Sequence, residues 1–460
     1  MSDRVTEAYV RESASPGSRL PMLLGEARLP PVLTAAYGTR FLPRPLFVQD
    51  DHMTRFAEDL VQFYDLITAL PRRMFDGDLH RYCAALGIGE RKKQLVTRLG
   101  GGTPPLYGRA DLSYDGRRFQ LLEFNVTSEI GGVERGGEIP RVMAEAGCFA
   151  PFAAEHDLRY VDTGHRVAET LKTLAGTVSR TGTAVVAVLE APGGLAENGP
   201  GWQAVAAVLR RHGLDCLVGE VQQIRRRGDH LVLDGRTVDV VLRGFTIEEL
   251  LAQSDGEILA EPLFRAHEAG TAVLWTPMES GLIDNKGCLA MLCAPWVRAG
   301  LSAEELALID RVLPWTRALR QNLAAVDSAL LDQCMAHRTE LILKPNAEYG
   351  GEGVVAGWEV SEREWHRALA SVGPEGAVAQ RRAVPRPESV VDPFTGRAQD
   401  WRAVWGLFLT PEGPAGMEAR AVPDSGGAVV GLRTNARACI AGVFTFPGNT
   451  PPESTAAVRP

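Results

Sequence analysis

The chain has 460 residues, 45% apolar and 23% charged, with 57 acidic against 49 basic residues and a net charge of −8, the make-up of a soluble enzyme with more than one subdomain. The acidic balance excludes a nucleic-acid surface, which needs clustered Lys and Arg. No apolar run of about 18 residues marks a membrane span, and the polar start MSDRVTEAYVRES is unlike an export signal.

Seven scattered cysteines without a CxxC pair read as reduced thiols, which fits a cytoplasmic protein better than a zinc or disulfide framework. Residues 1–50 are rich in Pro, Gly and Leu with weak periodicity and read as an irregular lead-in. From Asp51 to about Leu86, apolar residues recur at three- and four-residue spacing behind an Asp cap, which predicts an amphipathic helix. The stretch GRADLSYDGRRFQLLEFNVTSEIGG, 108–132, is a β-hairpin turning at Asp115-Gly116. Residues 165–270 alternate a helix (166–175), the strand TAVVAVLEA, a helix after NGPGW, the strand DCLVGEV, a hairpin at Asp234-Gly235 and the strand VDVVLRGF. That alternation predicts a small sheet flanked by helices. EAPGG at 190–194 lacks the spacing of a dinucleotide fingerprint, and Arg225-Arg226-Arg227 reads as a solvated turn.

Beyond residue 271 a loop leads to a helix near Asn285, a helix over 303–312, the segment LPWTRAL and a helix near 327–336. Two strand-like segments, WRAVWGLFL and VVGLRTNARACIAGVF, follow among Pro/Gly-rich loops. The last ten residues read as a frayed tail.

Two patterns carry chemistry. In LILKPNAEYGGEGVVAGWE, 341–359, Lys344 ends an apolar run and Gly350, Gly351 and Gly353 follow. Glycines let backbone N–H groups approach phosphate oxygens and adopt positive φ, and the lysine adds a point charge; a plain hairpin turn is the alternative. On the 108–132 hairpin, side-chain alternation sends Glu123 and Asn125 to one face with Asp111 alongside. Two carboxylates and an amide oxygen suit Mg²⁺ bridging substrate phosphates; an exposed polar hairpin face is the alternative.

The ordered set of Arg109 and Asp111 before a DG turn, Glu123-x-Asn125, the lysine of DNKGCLAML, then KPNAEYGGEGV and Gln380 after a strand resembles the circularly permuted ATP-grasp ligases, of which glutathionylspermidine synthetase is a relative. The metal residues precede the glycine loop, the inverse of the ordinary order. The resemblance covers roughly residues 100–460. It implies an α/β (α+β) ATP-grasp fold, circularly permuted, with a small βα subdomain: 1–160 for the arm, helices and metal hairpin, 161–270 for the βα unit, and 271–460 for the nucleotide-binding lysines, glycine lid and closing strands.

It further implies ATP with Mg²⁺ held by Asp111, Glu123 and Asn125. Arg109 would stabilise the transferring phosphoryl group, and Lys286 and Lys344 would contact phosphates. The three glycines would form a lid, and Gln380 with Arg381 to Ala383 would line the adenine hinge. Arg433 and Asn435 would lie near the site on the closing strand, although an exposed strand face is the alternative. Thr127, Ser128, Glu134 and Arg135 would read the substrate, with a Glu134–Arg135 surface pair as the alternative; a solvated surface position is the alternative for Lys286. No Cys/His amidase segment is matched, nor are the polyamine- and glutathione-binding segments, so neither the second activity nor those substrates carry over. The implied reaction joins a small-molecule carboxylate and an amine through an acylphosphate, releasing ADP and phosphate; a homodimer is allowed, and from composition no nucleic-acid or membrane partner is expected. A phosphotransferase and a non-catalytic nucleotide-binding protein remain the rival readings.

Overall fold

The structure, a computed structural model, describes residues 3–100, 102–178, 182–346 and 348–448; the tail over the last ten residues lies outside them. The chain is mixed α/β with several sheets. The largest is antiparallel, in the order Cys439–Ala441, Gly413–Pro423, Ala398–Thr410, Gly108–Tyr114, Phe119–Asn125, with Pro387–Val391 paired to the start of Ala398–Thr410. Its apolar face is covered by the helix Asp50–Phe75, whose Phe56, Leu60, Phe63, Tyr64 and Ile67 recur at helical spacing. The Phe56 ring packs tilted against Phe119 with centroids 5.6 Å apart, and Tyr64 meets Phe124 edge to face at 6.3 Å. The polar face of the sheet is left for the site.

A second sheet is parallel, ordered Val273–Trp275, Val240–Arg243, Val185–Glu190, Asp215–Glu220. The helices Thr163–Ala175 and Leu195–Arg211 close one face through Val167, Leu171, Val205 and Leu209 against Val186, Val188 and Leu242. The strands and helices of this layer lie between Thr163 and Arg243, except for the edge strand Val273–Trp275, which lies beyond residue 270. A third, antiparallel sheet is ordered Thr316–Leu319, Ala377–Arg381, Leu341–Pro345, Val355–Ala356. It has its own core around Leu343, Trp365 and Leu369. Leu46–Gln49 pairs in parallel with Val443–Phe446.

Several expectations are corrected. The lead-in contains the helix Arg4–Ser13, capped by Asp3, a helix at Pro31–Tyr37 and the strand Leu46–Gln49. The helix expected from Asp51 to Leu86 is two, Asp50–Phe75 and Leu79–Leu86. The break falls at Asp76 and Gly77, both at positive φ, with Asp78 capping the second helix. Arg225–Arg227 is a short exposed strand paired with His230–Leu233, not a turn. Gly413–Pro423 is a strand, where the Pro and Gly residues that open it predict a loop. Most of VVGLRTNARA is loop, and strand begins only at Cys439. The seven cysteines are free thiols. No helix among the described residues is long and apolar enough to cross a membrane.

Candidate active site

The hairpin register sets Arg109 opposite Asn125 and Asp111 opposite Glu123, so all four side chains share one face. One strand over, Gly406 stands opposite Asp111, and Glu418 stands opposite Gly406. A Cβ at Gly406 would fall 2.6 Å from Arg109 Cδ and 3.0 Å from Glu418 Oε1. The absent side chain is what lets these two reach across the strand.

The result is a buried charge network. Arg109 Nε donates to Asp111 Oδ1 at 2.6 Å, and Arg420 Nη2 donates to Asp111 Oδ2 at 2.7 Å. Glu418 lies 3.2 Å from Arg420, 3.3 Å from Arg135 and 3.7 Å from Arg109. Burial raises the Asp111 carboxyl, but the two guanidiniums outweigh it and hold the group well below the usual carboxylate range. Arg109 also donates to the Gly131 carbonyl, tying the network to the segment after the hairpin.

Both lysines converge on the same face. Lys286, just before the helix Gly287–Leu292, donates to Glu123 Oε1 at 2.9 Å and to the Glu348 carbonyl at 2.8 Å, with its Nζ 5.4 Å from the Tyr349 ring centroid. It is buried, which removes the surface-lysine alternative. Lys344 donates to the Leu122 carbonyl at 2.9 Å and to Gln380 Oε1 at 2.8 Å. Among the described residues it forms no ion pair. Burial, with Lys286 adding to it and Glu123 opposing, lowers its ammonium to about 8.

The glycine loop has the backbone that its composition predicts: φ is 64° at Gly350, 89° at Gly351 and 67° at Gly353. It leans on the loop over 428–434. Thr434 Oγ1 donates to the Gly350 carbonyl at 2.9 Å, and a Cβ on Gly351 would meet Val429 Cγ1 at 2.5 Å. Asn435 shapes that supporting loop by donating to the carbonyls of Gly426 and Val429. Arg433 extends from it to Glu197 at 3.3 Å.

These groups surround a cavity of about 530 Å³ between the three sheets. Arg109, Asp111, Glu123, Asn125, Lys286 and Lys344 line it, as do Thr127, Glu134, Gly350, Gly351 and Arg433. Gly353, Gln380, Arg381, Ala383, Ser128, Arg135 and Asn435 are not on its wall. Gln380 is buried behind Lys344, and Arg381 lines a second cavity of about 610 Å³ with Gln120, Trp315 and Arg382. Ser128 is consumed internally by the Arg243 and Trp275 carbonyls and by Thr276. Glu134 accepts from the Tyr37 hydroxyl and the Gly132 N–H, and Arg135 lies 5.2 Å from the Tyr37 ring centroid. Both are buried, so this pair does not stitch a surface.

Four contributors carry no strong signal in the sequence: Glu418, Arg420, Glu129 and Arg243. Glu418 and Arg420 alternate in MEARAV, a period-two signal obscured by the Pro and Gly around it. Glu129 lies within VTSEIGG, where nothing local distinguishes it from its polar neighbours.

The donor set fits a polyanion: two buried lysines, Arg109, Arg420 and a positive-φ glycine turn face one space. Its fit to magnesium is narrower. Glu123 and Asn125 offer hard oxygens, whereas three of roughly four acceptor positions on Asp111 are taken by arginine N–H groups. Asp111 can therefore give one oxygen. Among the described residues no three His, Cys, Asp or Glu side chains are grouped for a metal ion, so any metal must take ligands from the amide and from the polyanion as well.

No family model matches the chain, and no curated protein matches it. Among solved structures, a glutathione synthetase-like effector from Globodera pallida, in apo form, aligns over 97% of this chain and 98% of its own with a TM-score of 0.56 and 13% identity. A Methylobacillus flagellatus chain assigned as a gamma-glutamylcysteine synthetase aligns over 80% of this chain and 83% of its own, at TM-score 0.40 and 14% identity. D-alanyl-alanine synthetase A from Vibrio cholerae aligns over 50% and 68%, at 0.29 and 14%. The first likeness is one of fold; the other two are too distant to carry an argument.

Proposed function

We propose that the protein is an ATP-dependent carboxylate–amine ligase, ADP-forming and of the circularly permuted ATP-grasp type. The observation that carries this reading is the meeting of Glu123, Lys286 and the Glu348 carbonyl in one chain of contacts beside Lys344. Three segments far apart in sequence thus deliver an acid, two cations and a glycine loop to one cavity. The full-length fold likeness to a glutathione synthetase-like protein agrees with it. Within this reading, residues 1–160, 161–270 and 271–460 are the hairpin-bearing part, the βα unit and the nucleotide-binding part.

Lys286 and Lys344 hold the phosphates, with Gly350 and Gly351 closing over them by backbone N–H groups. Arg109, kept in place by Asp111, faces the charge that spreads over the phosphoryl group in flight. Arg420 joins it from the same carboxylate. Glu123, Asn125 and one oxygen of Asp111 would hold magnesium, which when bound neutralises phosphate charge. Gln380 orients Lys344 from behind, and Arg381 to Ala383 lie beyond it, off the wall of this cavity. The substrate carboxylate becomes an acylphosphate, and an amine displaces phosphate. Thr127, Glu134 and Arg433 line the acceptor end, with Ser128, Arg135 and Asn435 behind them.

The test is magnesium-dependent release of ADP and phosphate with a panel of small carboxylates and amines, run beside Glu123→Gln. Product that requires both substrates and is lost in the variant supports the ligase. ADP with a phosphorylated product and no amide would replace it with a phosphotransferase, and nucleotide binding without turnover would replace it with a binding protein.

A further inference from the structure

Glu129 has the geometry of a placed proton acceptor. Its side chain is only 7% exposed, yet the residue lines the cavity. The oxygen Oε2 accepts from Arg243 Nη2 at 2.9 Å and from the Thr127 hydroxyl. Arg243 is itself completely buried and fixed by the Phe245 carbonyl at 2.9 Å, the Thr276 carbonyl at 3.2 Å and Ser280 Oγ at 3.0 Å. Ser128 pins the backbone of this segment to the end of the parallel sheet. Apart from a contact of the carboxyl with the backbone N–H of Glu129 itself, the second oxygen, Oε1, has no hydrogen-bond partner among the described residues. One oxygen is thus clamped and the other left for something in the cavity.

We propose that Glu129 takes the proton from the incoming amine, with Arg243 and Thr127 as the positioning residues that aim its free oxygen. This rests on the ligase reading. An amine reaches the site as an ammonium ion with no lone pair to attack. Glu129 carboxylate accepts one N–H proton and becomes the acid; the freed lone pair forms the C–N bond as the acyl C–O bond to phosphate breaks. The second N–H proton leaves with phosphate, and Glu129 then returns its own proton to solvent. No further reactant is needed.

The electrostatics agree with this role. Burial pushes the Glu129 carboxyl up to about 7, against the pull of Arg243 and with Asp284 adding to the rise. Burial chiefly, and this carboxylate among other nearby acids, hold the Tyr349 hydroxyl well above its usual range. A base poised there is ionised near neutral pH and still able to hold a proton.

The experiment pits two nucleophiles against each other on Glu129→Gln: hydroxylamine, already neutral at neutral pH, and a primary alkylamine, which arrives charged. Each is offered with ATP, magnesium and the carboxylate panel. The expected result is a ratio of hydroxamate to amide formation raised by about 100-fold or more in the variant, together with loss of the wild-type rise in amide rate up to about pH 7. Hydroxamate from the variant also reports that it is folded. An unchanged ratio, whether both rates persist or fall together, overturns the assignment of Glu129. Absence of hydroxamate from the wild type with every carboxylate overturns the ligase reading beneath it. In ¹³C NMR of the glutamate-labelled protein, a carboxyl resonance titrating near 7 must vanish in the variant; its persistence also overturns the proposal.

Discussion

Lys286 Nζ stands 2.9 Å from Glu123 Oε1, a helix-start lysine joined to a carboxylate on the hairpin strand. Each holds the other in the wall of the cavity, so each is needed for the other's pose. Replacing Lys286 by Met removes a charge-assisted contact of about 1.5–3 kcal/mol. Nucleotide affinity, measured by isothermal titration, should fall by roughly 10- to 100-fold.

Lys344 gives a pH signature. Its ammonium titrates at about 8 in the folded protein against 10.5 when free. Between those values the unfolded chain binds more protons than the native one, so this group's contribution to stability rises with pH across that window and is unfavourable below it. Binding shows the opposite trend: a bound polyanion favours the charged lysine, so ATP affinity should drop about tenfold per pH unit above 8. Titrations from pH 7 to 9.5 check the slope, and Lys344→Met should flatten it.

Glu418 sits completely shielded among Arg109, Arg135 and Arg420. Glu418→Gln leaves three buried guanidiniums short of a counter-charge, a loss on the order of 3–5 kcal/mol. Urea unfolding should show it as a lowered midpoint with an unchanged slope.

Gly351→Ala tests the loop. The residue has φ of 89°, and a Cβ would fall 2.5 Å from Val429. The left-handed backbone alone costs about 1–2 kcal/mol, and the clash adds to it. The Michaelis constant for ATP should rise at least several-fold, with thermal stability of the rest of the protein little altered.

What the sequence shows depends on how local the signal is. The hairpin at Asp115-Gly116 was legible because turn chemistry and alternation lie within a few residues, and the same holds for the helix Ala303–Val312 with its Ser302 capping box. Asp111, Glu123 and Asn125 followed from hairpin alternation, whereas Arg109 came only with the family resemblance. Glu418 and Arg420 did not, because their strand joins the site through Gly406 on a neighbouring strand, and only sheet order reveals that adjacency. The burial of Lys286 was equally invisible: its partners Glu123 and Glu348 lie far away along the chain. The helices of the first fifty residues were hidden by their Pro and Gly content, and packing of Val5, Tyr9 and Leu33 against Phe47 and Phe149 outweighs weak local preference.

The sheet order also governs how the chain must assemble. Gly108–Tyr114 is made nearly three hundred residues before its neighbour away from the hairpin, Ala398–Thr410. Until that strand emerges, the hairpin bearing Asp111 and Glu123 has an unpaired edge and no Arg420 to neutralise its acid. Contacts this distant in sequence slow folding and leave such edges open to wrong partners. A nascent chain stopped before residue 398 should therefore be prone to aggregate, while the parallel unit, whose strands lie between 185 and 275, has all its pairings in hand well before residue 398 is made.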